Sequence, residues 1–174
     1  SSVQEWMAEY NKDNGASEYT FVGSLKITDD VISAANTVRE ELNLSLNWFE
    51  NLRNAKEAFN SLRNSITDLG VIVMMNGIVG NNTHRTLSVS EFRAFTLVDP
   101  YAPLIFINSR DTDNGKLFSL LHELVHVWIG KDDFYNDTHG VSQKVSKEEQ
   151  FCNAVAAEIL VPNSMFLNEW SKQS

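Results

Sequence analysis

The chain has 174 residues, enough for one ordinary domain, and its hydrophobic content of 43% is that of a globular protein with a real core. A formal net charge of −9 argues against direct nucleic-acid binding, which needs a basic face. No run approaches the roughly 18 apolar residues that span a membrane, no charged-then-apolar leader opens the chain, and the single cysteine excludes an internal disulfide, so a cytoplasmic protein is expected.

In chain order, residues 1–25 read as an N-terminal arm or linker, with the polar stretch from Asn11 to Tyr19 as its most linker-like part, and residues 26–174 as the main domain. Asp29 to Leu42 predicts a helix, with an aspartate at its start and apolar residues at Ile32, Ala35, Val38 and Leu42. A second helix is expected from about Trp48 to Leu69, stopped by Gly70. Val71 to Met75 reads as a buried strand and Gly77 to Asn82 as a turn. Glu91 to Val98 alternates as a second strand, and Pro103 to Asn108 forms a third. The pattern is that of an α+β fold, mainly helical, with a small, mostly antiparallel three-stranded sheet.

The run from Lys116 to Ile129 predicts a helix, because Leu117, Leu120, Leu121, Leu124 and Trp128 make one apolar stripe. Asp111 or Asp113 can cap its start, and Gly130 stops it. It carries His122-Glu123-Leu124-Val125-His126, a zinc protease signature. A four-residue step is about one helical turn, so both imidazoles point from the same face and can grip one ion, while Glu123 lies about 100° round the axis. The polar stretch from Lys131 to Gly140 then reads as a loop.

Glu148 to Val161 predicts another helix, ended by Pro162. Catalytic zinc usually takes three protein ligands and a water, so this helix should supply the third. Glu149 is preferred to Glu148, because Glu149 shares a face with Asn153, Ala156 and Leu160. Small Ala154, Ala156 and Ala157 would allow close packing on the first motif helix, and Asn153 can then accept the free ring N–H of a ligating histidine. Cys152 reads as a buried small side chain.

Together, His122-Glu123-x-x-His126 and Glu149-x-x-Cys152-Asn153-x-x-Ala156-Ala157-x-x-Leu160-x-Pro162 resemble the motifs of the ImmA/IrrE metallopeptidases over roughly the last eighty residues, with Cys152 where alanine is common. The resemblance implies a zincin-like fold and Zn2+ bound by His122, His126 and Glu149, with Glu123 as the catalytic carboxylate. It also implies the substrate class: helix-turn-helix transcriptional repressors of mobile elements or stress regulons. Such partners carry basic patches toward which an acidic surface can steer, although a merely solvated acidic surface is the commoner case. Members often carry a DNA-binding module ahead of this region, which leaves room for one upstream of Ser1.

In such a site Glu123 acts as base and then acid, and an oxyanion donor is wanted. His139 and Tyr135, in the polar loop, are the candidates, although a loop histidine is more often merely solvated. An edge strand near the metal is expected to hold the substrate backbone. Two functions follow: a zinc endopeptidase cutting a regulator protein, or a non-hydrolytic zinc-containing module acting through protein–protein contacts. The first is favoured, because Glu123 has no role in merely holding metal.

Overall fold

The computed structural model describes residues 2–76, 78–79, 82–86, 93–131, 133–135 and 145–165. Helix α1 (Ser2–Asp13) opens the chain and is tied down by its amide side chains. Gln4 Nε2 donates to the main-chain oxygens of Leu97 at 2.8 Å and Ala102 at 3.0 Å, and Asn11 Nδ2 donates to that of Tyr101 at 2.9 Å. The stretch read as most linker-like is therefore helical as far as Asp13, held by carbonyls some 90 residues away in sequence. Phe21 and Leu25, within the expected arm, then enter the core.

Helix α2 (Val31–Glu41) starts as expected, with the Asp30 carboxylate accepting from the Ser33 N–H. Helix α3 (Ala55–Leu69) begins later than its apolar pattern suggests, because Asn54 is extended and its side chain accepts from the Glu57 N–H. Trp48, expected inside that helix, instead packs into the core and donates Nε1 to the Ile159 carbonyl at 2.9 Å.

The three expected strands are present as β1 (Ile72–Asn76), β4 (Ala94–Leu97) and β5 (Leu104–Asn108). Between them β2 (Ile78–Val79) and β3 (Asn82–Thr86) form a separate antiparallel pair, so the stretch read as a turn also carries strand. The main sheet has the order β1-β5-β4-β6, where β6 (Asp133–Tyr135) corrects the expected loop. β1 runs parallel to β5, while β4 is antiparallel to both β5 and β6, so the sheet is mixed but mostly antiparallel.

Helix α4 (Asp113–Ile129) runs through the middle, packed by α3, β4, β5 and helix α5 (Lys147–Leu160). Leu120, Leu121, Leu124 and Trp128 are fully buried, and each such leucine contributes roughly 1.5–3 kcal/mol over an exposed one. Among the described residues no helix is long and apolar enough to cross a membrane.

The end of α4 depends on Gly130. Its φ of 81° is left-handed, and its N–H closes the helix on His126 O at 2.9 Å. The segment before α2 crosses here, with the Gly23 N–H on Val127 O at 3.3 Å and the Leu25 N–H on Trp128 O at 2.9 Å. A Cβ on Gly130 would sit 2.8 Å from the Gly23 Cα. Gly130→Ala should therefore lower stability by about 1–3 kcal/mol, read from urea midpoints; an unchanged midpoint would show that the two segments separate without cost.

Candidate metal centre

The α4 helix is capped by Thr112, whose side chain accepts from the Gly115 N–H at 3.0 Å. This corrects the expected aspartate cap; Asp111 is instead drawn to Arg93, at 3.2 Å. One cap and the Gly130 stop fix the helix phase, and His122 and His126 then lie one turn apart, both fully buried. Their Nε2 atoms are 3.2 Å from each other.

Helix α5 brings the third group. Ser146 caps it by accepting from the Glu149 N–H at 3.1 Å, which sets Glu149 in the first turn, where the helix dipole favours a carboxylate. Buried Cys152, Val155 and Ala156 let α5 lie against its neighbours. Glu149 Oε2 reaches His122 Nε2 at 3.1 Å and its Oε1 reaches His126 Nε2 at 3.1 Å. Ligand atoms of His122, His126 and Glu149 all fall within 4.8 Å of one another.

These distances test whether a metal fits. A tetrahedral zinc with bonds of about 2.0–2.1 Å holds its donors roughly 3.3 Å apart. The observed separations of 3.1–3.2 Å match that edge. His122 Nδ1 lies 2.8 Å from Asn153 Oδ1 and donates to it, so on binding a cation the ring would give up the Nε2 proton that faces Glu149 and offer that nitrogen's lone pair to the centre. Two buried imidazoles converging on a carboxylate form a donor set that fits a cation. The donor set of two imidazoles and a carboxylate suits zinc and its neighbours in the first transition row.

Glu148 takes a different place from its neighbour. Its Oε1 stands 3.6 Å from His126 Nδ1, on the far side of that ring, and its Oε2 accepts from Lys131 Nζ at 2.7 Å. Of the two candidates for the third donor, geometry therefore brings Glu149 to the centre and sets Glu148 behind His126.

Electrostatics agree with an ionised Glu149. Burial, the largest single effect, opposes its charge, but hydrogen bonds to His122 and His126, with their charge, outweigh it and lower the carboxyl from 4.5 to about 2.

Glu123 is fully buried and turns toward β4, where the Thr96 hydroxyl donates to its Oε2. Sequence reasoning missed Thr96. The available signal was a polar residue at an inward position of an alternating strand, between the half-buried Phe95 and Leu97. Tyr135 ends β6 and pairs with Ala94, while His139 lies outside the described residues.

A family profile described as Peptidase_M78, IrrE N-terminal-like domain, matches residues 73–174, which takes in the main sheet as well as both motif helices. No curated protein matches the chain.

Two outcomes are expected. Asn153→Ala, by freeing the His122 ring, should weaken metal binding about 10–100-fold in a chelator competition titration; unaltered affinity would mean the ring is held without Asn153. In the metal-free protein the Glu149 carboxyl sits below its ordinary value, so its contribution to stability is full above pH 4.5 and fades as the pH falls toward 2. The gap in urea midpoint between wild type and Glu149→Gln should narrow over that range, and a pH-independent gap would contradict the coupling.

Proposed function

The chain belongs to the Peptidase_M78 family of IrrE N-terminal-like metallopeptidases, and from that premise we propose that it is a zinc-dependent endopeptidase that cuts a helix-turn-helix transcriptional repressor in the cytoplasm. The observation that carries the reading is the convergence of His122, His126 and Glu149 next to a buried carboxylate, Glu123, that lies outside the three-residue donor set. A module that only held metal would have no need of that fourth group in an apolar interior, where burying a charge is costly.

When bound, zinc polarises a carbonyl oxygen and lowers the pKa of water in its open position to near 7. Asn153 orients His122, and Glu148 stands behind His126. Glu123 takes a proton from the attacking water as the water oxygen bonds to the peptide carbon. It then returns that proton to the departing amine nitrogen as the C–N bond breaks. Tyr135 and His139 are the proposed donors to the oxyanion. β6 ends the sheet next to α4, so its outer edge is the proposed place for the substrate backbone to add as a strand.

The repressor as substrate is supported by the motif resemblance and by the net charge of −9, which suits an approach to a DNA-binding protein's basic patches. Glu123→Gln should keep one equivalent of zinc by elemental analysis. Its cleavage rate should fall about 10²–10⁴-fold, read as new N-termini by mass spectrometry on purified helix-turn-helix repressors. Retained cleavage by this variant would remove Glu123 from the chemistry. A wild-type protein that binds zinc and regulates without cutting would favour the non-hydrolytic module.

A further inference from the structure

Thr96 is the polar exception in a strand whose other inward residue is Ala94. It is fully buried, on a strand that packs against α4, and lies opposite the core residue Ile105 of β5. Valine has the same shape and would fill this space without burying a hydroxyl, whose transfer from water costs about 1–3 kcal/mol when unmatched. The hydroxyl is matched by one residue alone among the contacts it makes here: it donates to Glu123 Oε2, and it also lies 3.2 Å from the Glu123 main-chain oxygen.

We propose that Thr96 is a positioning residue for the hydrolytic reaction, its hydroxyl holding one carboxylate oxygen of Glu123 so that the other, Oε1, is presented for proton transfer. This rests on the peptidase reading above. Three features make Thr96 a rigid anchor. It sits on β4, an inner strand, paired to Ile105 of β5 on one side and Asp133 of β6 on the other. As a β-branched residue it has a stiff χ1, so a fixed backbone fixes the hydroxyl. The same oxygen meets both the side chain and the main chain of Glu123, which ties the strand to α4 at the residue that does the chemistry.

Glu123 needs such an anchor. A glutamate has three rotatable side-chain bonds, and its two histidine neighbours in the motif are held by other elements, His122 by Asn153 and both rings by Glu149. A hydrogen bond to an ionised oxygen is among the stronger kinds, and a misplacement of about 1 Å costs on the order of 10²-fold in rate.

The test uses the full chain loaded with zinc, as wild type, Thr96→Val and Thr96→Ser. Its first readout needs no substrate: crystal structures should show one Glu123 carboxylate position in wild type and Thr96→Ser, and a shifted or split carboxylate in Thr96→Val. Zinc affinity by chelator competition should stay within about threefold in all three proteins, since Thr96 touches no donor. The second readout is cleavage of a helix-turn-helix repressor, where Thr96→Val should lower kcat about 10–100-fold at unchanged KM, and Thr96→Ser should restore most of it. An unmoved carboxylate in Thr96→Val, or a serine variant as impaired as the valine one, overturns the proposal. If valine does not fold, Thr96→Ala takes its place under the same criteria. If wild type cuts no repressor, the peptidase reading fails, while the carboxylate position still decides whether Thr96 holds Glu123.

Discussion

Burial of α4 on every side is the constraint from which the rest follows. From Ser119 to Trp128 each residue of this helix is buried, and among them His122, Glu123 and His126 bear ionisable groups that are costly to bury away from water. The groups of the motif are met by side chains brought from other elements. Asn153 and Glu149 come from α5, Glu148 approaches from the same turn, and Thr96 comes from β4. The candidate metal centre is thus an outcome of the same packing that makes the core.

The helix-to-helix contact sets the scale of the site. Cys152 and Ala156 are fully buried on α5, which packs on both α2 and α4, and larger side chains at these positions would displace α5. A displacement of about 1 Å would take the Glu149 oxygens from 3.1 Å well past the roughly 3.3 Å edge of a tetrahedral zinc site. The far end of α5 is fixed by other long-range bonds. Trp48 donates to Ile159 O, and Arg39 donates to Glu158 O from a nearly fully buried position where burial lowers its pKa. The helix that carries the third donor is therefore clamped at its carboxyl end and capped by Ser146 at its amino end.

Much of this was legible in the chain because the signals are local. The i, i+4 step of His122 and His126, and of Glu149 and Asn153, is a property of any α-helix, so shared faces could be read without coordinates. The two apolar strands 71–75 and 103–108 and the alternation over 91–98 appear as β1, β5 and β4 for the same reason. What could not be read were elements whose stability is non-local. The polar α1 is held by Gln4 and Asn11 on distant carbonyls, the short β6 exists because β4 offers it a ladder, and Trp48 left its apparent helix for a carbonyl on α5.

The sequence by itself determined which residues could share a metal ion, since helical spacing puts the two imidazoles on one face, and motif similarity identified the family to which the chain belongs. It narrowed the third donor to adjacent glutamates and favoured Glu149. Only the tertiary structure decided between them in distance, setting Glu149 at 3.1 Å from both rings and Glu148 behind one of them, because that outcome depends on how α5 is rotated against α4. It alone brought Thr96 to Glu123, a pairing between a strand and a helix 27 residues apart. Spacing within a helix is fixed by covalent geometry, whereas contact between elements is fixed by which side chains fill the space between them.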